Sequence, residues 1–120
     1  MTPDKIKILF LGSDSHWFQV LQKAMGSRAE LYQDNIETHS STIWGREYRL
    51  IVLDTLHIPK RKIFPTITYI KNQQPGTKIV VVSASPTWTT VREALKAGAT
   101  DYIAKSFDPI QVANDLTPYL

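Results

Sequence analysis

The run Leu50-Ile51-Val52-Leu53 ends in Asp54. An unbroken apolar run of this length reads as a strand buried on both faces, as in a parallel sheet. A carboxylate at the C-terminal end of such a strand opens onto the crevice where open α/β sheets hold their ligands. Asp54 is therefore the leading candidate for a functional residue. A second apolar run, Ile6 to Leu11, should lie beside it, and it ends in Gly12-Ser13 rather than in further acids. The loop Gly12-Ser13-Asp14-Ser15 offers chemistry of its own. A nucleophilic serine needs a base held by an orienting acid, and Ser13, His57 and Asp54 are the residues that neighbouring loops could bring together for a small hydrolase. The same loop could bind phosphate at a helix N-terminus. It carries no Walker or dinucleotide glycine motif, and nothing in the sequence supplies an oxyanion hole. His16, His39 and His57 lack metal-ligand spacing.

The elements that must position these residues alternate between apolar runs and helical patterns. Ile6 to Leu11 reads as a first strand. Asp14 or Ser15 caps a helix that turns Trp17, Phe18, Val20, Leu21 and Met25 inward at helical spacing, with Gly26 closing it. Ala29 to Tyr32 is a second strand, and Asn35 to about Trp44 a short helix rich in Thr and Ser. Arg49 to Leu53 is the third strand. Thr66 to Asn72 reads as a helix entered through Pro65, followed by a Pro75-Gly76 turn. Lys78 to Ser83 is the fourth strand. Trp88 to Ala97 is a helix with Gly98 as left-handed cap. Asp101 to Ala104 is the fifth strand, and Asp108-Pro109 opens a last helix that Pro118 stops. Five strands alternating with five helices imply a doubly wound parallel sheet, helices on both faces, joined by right-handed crossovers. For one domain over residues 1–120 the expected strand order is 2-1-3-4-5, the flavodoxin-like arrangement. Its crevice opens between the first and third strands. Gly12, Ser13, Asp14, Asp54, Ser83 and Lys105 then meet at one end of the sheet.

Composition narrows the function classes. The 120 residues include 14 basic and 11 acidic side chains and no cysteine, which excludes disulfides, zinc–thiolate sites and thiol catalysis and suits a cytoplasmic chain. The net charge of +3 is too small for a nucleic-acid footprint, so nucleic-acid binding by this domain is not expected. Its one cluster, Lys60-Arg61-Lys62, reads as a solvated loop. No apolar stretch approaches the roughly 20 residues that cross a bilayer, and Met1-Thr2-Pro3-Asp4-Lys5 does not open a signal peptide. No membrane role is expected.

The site positions resemble the receiver domain of two-component response regulators over essentially the whole chain. The resemblance is strongest in Ile79-Val80-Val81-Val82-Ser83-Ala84, in Val91 to Ala99, and in Asp101-Tyr102-Ile103-Ala104-Lys105-Ser106-Phe107-Asp108-Pro109. It implies that Asp54 is the phosphoacceptor, served by a histidine kinase or phosphotransfer protein. It implies that Ser83 and Lys105 hold phosphoryl oxygens as an aspartate oxygen attacks phosphorus in line. A divalent metal, Mg2+, would neutralise the remaining charge. Phosphorylation would draw Ser83 inward and let Tyr102 rotate into the vacated space. That would change the face made by the fourth helix, fifth strand and fifth helix, through which an effector domain or protein, or a second copy in a homodimer, would be met. On this reading the chain is a signalling module and not an enzyme.

Three departures bear on that expectation. Receivers place two adjacent acids after the first strand, where this chain has Gly12 and Ser13. The metal ligands left are Asp54, Asp14 if it turns in, and the backbone carbonyl of Leu56. Loss of a unit charge about 4 Å from a divalent ion costs on the order of several kcal/mol even at an effective dielectric near 20, so Mg2+ binding should be weak. If that loss is the defect, restored acids at Gly12 and Ser13 should recover it, and unchanged affinity would defeat that explanation. The proline expected four residues after the aspartate stands five after it, in His57-Ile58-Pro59, so that loop is longer or reshaped. The lysine is followed by Ser106 in place of a cis proline, and the Lys105–Ser106 bond should be trans. The missing acid pair moves the expectation towards a phosphorylation-independent pseudo-receiver, in which Asp54 and Lys105 serve mainly as a salt bridge.

Overall fold

The computed structural model describes residues 5–38 and 41–120. Residues 1–4, the start of the chain, and His39 within the expected second helix lie outside them. Five parallel strands form one sheet in the order β2-β1-β3-β4-β5: β1 (Ile6–Leu11), β2 (Ala29–Asp34), β3 (Leu50–Asp54), β4 (Lys78–Ser83) and β5 (Asp101–Ala104). Among the described residues four α-helices cover it: α1 (Ser15–Met25), α2 (Lys60–Gln73), α3 (Trp88–Ala97) and α4 (Pro109–Leu116). Successive side chains of a strand point to opposite faces, and the central strands are apolar on both. Ile8, Phe10, Leu50, Val52, Val80 and Val82 pack against α1 and α4. Leu9, Leu11, Ile51, Leu53, Ile79 and Val81 form the opposite core with α2 and α3. Burial on both sides pins the register, because a one-residue slip would exchange the two faces of each strand. Leu11 therefore pairs with Leu53, and Asp54 with Val82.

Two expected elements differ. The helix over Asn35 to Trp44 is absent from the described part of that segment, which forms a turn and then a 3-10 stretch, Ser41–Gly45. Hydroxyl side chains compete for backbone hydrogen bonds and weaken a helix. Burial still holds the segment, since Ile43 is in the core and Ile36 and Trp44 pack against it. Among the described residues the sheet thus has four α-helices rather than five, and the face expected at the fourth helix, fifth strand and fifth helix is α3, β5 and α4. The second difference is α2, which begins at Lys60 with Pro65 inside it. Pro65 faces solvent, while Ile63, Ile67 and Ile70 anchor the helix at i, i+4, i+7 spacing. Packing of that stripe carries the helix through the proline.

Candidate functional site

The C-terminal ends of the strands bring the predicted residues together. Backbone pairing continues past the strand ends: Thr55 N–H donates to Val82 O at 3.1 Å, and Lys105 N–H to Ser83 O at 2.8 Å. These bonds hold Lys105 beside the end of β4, close enough to reach across the site. Its Nζ donates to Asp54 Oδ2 and to Asp14 Oδ2, both at 2.7 Å. The remaining carboxylate oxygens are also engaged. Asp54 Oδ1 accepts from Leu56 N–H at 3.0 Å. Asp14 Oδ1 accepts from Trp17 N–H at 3.0 Å, so the residue that caps α1 also turns into the site. The side chains of Asp54, Lys105 and Asp14 are 1%, 6% and 15% exposed. In this low-dielectric setting charged groups persist only when paired and hydrogen-bonded. The hydrogen bond from Lys105 holds the Asp14 carboxyl below the ordinary carboxylate value. Burial pulls the Lys105 ammonium down, but its bonds to Asp14 and Asp54 outweigh that and raise it overall.

A second set of contacts fixes this arrangement. The buried Trp17 indole N–H donates to Ser106 O at 2.8 Å, tying α1 to the loop after β5. Ser106 Oγ accepts from Asp108 N–H at 3.1 Å, and Asp108 Oδ1 caps α4 by accepting from Ile110 N–H at 3.0 Å. The Lys105–Ser106 peptide is trans, as expected without proline, since the described residues contain no cis bond. The Phe107 ring lies 5.9 Å from Lys105 Nζ and packs against the His16 ring, covering the ion pairs from outside. Sequence reading alone gave Trp17 no part in the site beyond core packing. Its signal was an aromatic one turn beyond the Asp14 cap, on the face that meets the sheet.

The other candidates take varied places. Ser83 is buried at the rim of a hollow beside Asp54 and Lys105, and its Oγ accepts from Ser85 N–H at 3.3 Å. Tyr102 is buried in the core on the α2 and α3 side of the sheet. The longer loop after β3 is absorbed by a turn in which Ile58 N–H donates to Thr55 O at 3.0 Å and His57 adopts a left-handed φ of 68°. Leu56 lends its amide to Asp54 and exposes its side chain. Ser13 is exposed, and the partners of Asp54 are Leu56 and Lys105 rather than His57. The orienting contact that a Ser13–His57–Asp54 hydrolase would need is therefore not made.

A divalent metal fits this donor set poorly. Both Oδ2 atoms that could face a cation already hold the Lys105 ammonium. No cluster of three or more His, Cys, Asp or Glu suited to a metal occurs among the described residues. Gly12 cannot simply be exchanged for an acid: a Cβ there would lie 2.7 Å from Phe10 Cζ and 2.8 Å from Asp54 Cβ. An acid at position 12 would have to shift the Phe10 ring and the Asp54 side chain. Phe10, tilted against Trp17 and stacked on Phe18, fills the space. The clue in the sequence was a large residue on β1 and a glycine two positions on, just past the strand's end.

A family model of the response regulator receiver domain matches residues 14–117. The chain belongs to that family. As a receiver it is a domain of two-component signalling, a class of signalling modules that meets histidine kinases, phosphotransfer proteins and effector domains and typically binds Mg2+ at its phosphorylation site. It is 32% identical over 105 residues to the DNA-binding transcriptional regulator NtrC of Rhizobium meliloti (strain 1021), covering 84% of this chain and 21% of that protein. The receiver thus spans about a fifth of that relative's length. It is 38% identical over 66 residues to the chemotaxis protein CheY of Thermotoga maritima, covering 55% of each. The fold matches the crystal structure of a response regulator from Thermotoga maritima with a TM-score of 0.81 at 17% identity, covering 97% of this chain and 98% of that one.

Proposed function

We propose that this receiver works as a phosphorylation-independent interaction module, a pseudo-receiver whose output is a preset protein-binding surface. The observation that carries the reading is the Lys105 ammonium, bonded at 2.7 Å to both Asp14 and Asp54. An aspartate oxygen attacks phosphorus in line, and here one hydrogen bond to each Asp54 oxygen, from Lys105 and from the Leu56 amide, holds the carboxylate in this network. The site does not assemble the carboxylates that would hold Mg2+ beside the incoming phosphate. Lys105, Ser83 and Asp54 then serve structure, and Tyr102 stays in the core instead of switching.

The partner is an effector domain or protein, or a second copy in a homodimer, met on the α3, β5 and α4 face. Trp88 at the start of α3 is 77% exposed and Ile110 on α4 is 73% exposed. These are large apolar groups left in water on the two helices of that face. No helix among the described residues is long and apolar enough to cross a membrane, which suits a cytoplasmic role.

Incubation with acetyl phosphate and Mg2+, followed by intact-mass measurement, tests the reading. The expected result is an unchanged mass. A single phosphoryl adduct that disappears in Asp54→Asn would overturn it in favour of a competent switch served by a histidine kinase or phosphotransfer protein. The hollow shared by Ser83, Lys105 and Asp54 is the observation that favours that second reading.

A further inference from the structure

Among the described residues no α-helix follows β2, and one flank of α2 lies open beside that segment. Ile63, Ile67 and Ile70 turn into the core. Lys62, Pro65, Thr66 and Tyr69 form a second stripe next to them at i, i+3, i+4 and i+7 spacing. With Ile36 they line a hollow of about 430 Å³. Its walls are mostly apolar, and the Tyr69 ring is set edge-on against Trp44. A neighbouring hollow shares Ile36, Lys62 and Thr66 and adds Ile58 and Glu37. Glu37 is the acid in these walls. α2 itself carries Lys60, Arg61, Lys62 and Lys71 and no acid, so the groove has a basic rim.

α4 has the opposite character. Pro109–Leu116 holds no cation, Asp108 caps it, and Asp115 lies in its last turn. Ile110 projects into water from the first turn, with Phe107 exposed just before it. Lys105, whose Nζ lies 5.9 Å from the Phe107 ring, is already bonded to Asp14 and Asp54. α2 and α4 cover opposite faces of the sheet, so α4 does not reach the groove of its own chain.

We propose that the two surfaces meet between copies of this chain, with Ile110 and Phe107 of one molecule seated in the α2 groove of the next and the Asp108 carboxylate against Lys62. The chain itself carries both halves of the fit, an apolar projection flanked by acids and an apolar groove rimmed by cations. Buried apolar anchors supply affinity in such a contact, and the opposed charges fix its register. The contact is heterologous, so each copy leaves one surface free and assembly runs beyond the dimer. The inference deepens the proposed function and rests on its reading of the α3, β5 and α4 face as a contact surface. It names the partner and the surface that this face meets.

Sedimentation velocity at rising concentration, up to about 1 mM, the weak end of specific affinity, tests the proposal. The weight-average sedimentation coefficient of wild type should climb past that of a dimer. Ile110→Glu removes the projection and Thr66→Glu blocks the groove, and each should raise Kd at least about tenfold. Lys62→Glu, at an exposed position, should raise it about threefold, the size of a rim charge pair. Far-ultraviolet circular dichroism checks that the variants are folded, and Ile110→Ser and Lys62→Glu serve as the milder pair. Each blocked variant keeps the surface the other lacks. An equimolar mixture of Ile110→Glu and Thr66→Glu should therefore form a one-to-one dimer and stop there. A mixture that stays monomeric would overturn the proposal. Association lost in Ile110→Glu but kept in Thr66→Glu would overturn it in favour of α4 faces pairing with each other. Wild type that stays monomeric throughout would overturn it and leave the groove to an acidic segment of another protein.

The two readings fail separately. A phosphoryl adduct on wild type together with the mixed dimer would remove the phosphorylation-independent reading and leave the assembly in place. An unchanged mass with a monomeric wild type would do the reverse.

Discussion

On the β4 and β5 side of Asp54 the receiver pattern is kept in both residue and position: Ser83 and Ala84 end β4, and Tyr102 and Lys105 follow in register along β5. On the β1 side the pattern is rebuilt. Gly12 stands against the Asp54 Cβ, Asp14 reaches in from the helix cap, and the segment after β2 lacks its α-helix among the described residues. The two sides differ in what brings negative charge to Lys105: Asp54 from a strand end on one, Asp14 from a helix cap on the other.

Removal of Lys105 should break this contrast most sharply. Lys105→Met leaves Asp54 buried without its cation, and loss of one partner from a buried pair costs about 3–5 kcal/mol. Chemical denaturation in metal-free buffer should show that loss as a lower midpoint with an unchanged slope. An effect below about 1 kcal/mol would mean that the ion pairs contribute little.

Gly12→Asp comes next. The contacts of 2.7 and 2.8 Å that a Cβ would make are overpacking, worth about 1–3 kcal/mol. The variant should be less stable than wild type and should gain no Mg2+ response. If it bound Mg2+ with unchanged stability, the β1 side would be a simple loss of acids rather than a rebuilt site.

Trp17→Phe keeps most of the ring volume and removes the indole bond to Ser106 O. An acceptor left without its donor costs about 1–2 kcal/mol. Amide exchange should quicken in the loop after β5, while the far edge strand β2 stays as protected as before.

Asp14→Asn should have the smallest effect, about 1 kcal/mol near neutral pH, because asparagine caps a helix nearly as well as aspartate. Its signature lies in pH. The Asp14 carboxyl sits below its ordinary 3.8 in the folded protein. Its stabilisation is therefore full above that value and is lost as pH falls through the lowered one. Lys105 is raised above 10.5, so its share is full below 10.5 and is lost as pH rises through the raised value. Thermal melts of wild type and variant should run parallel at neutral pH and converge in strong acid. Parallel curves throughout would show that Asp14 acts only as a cap.

Much of this was legible in residue order. The strand cores are β-branched and apolar runs whose double-sided burial leaves one workable topology, and Gly98 and Asp108 mark helix ends by local chemistry. Asp54, Ser83 and Lys105 could be placed at one end of the sheet because strand ends follow from strand starts. The start of α2 was misplaced because tertiary packing of Ile63 and Ile67 outweighed the local signal of Pro65. The helix expected after β2 failed for the opposite reason, since hydroxyl-rich residues with only a few buried anchors do not need helical geometry to cover a core. The sequence by itself determined the sheet, its order and which side chains stand at its carboxyl edge, because periodic burial and local capping depend on neighbours in the chain. Only the tertiary structure decided that Asp14 turns inward, that Phe10 leaves position 12 no room, and that Lys105 joins two acids. Those outcomes depend on contacts of 2.7 to 2.8 Å, most of them between residues far apart in the chain, which residue order does not encode locally.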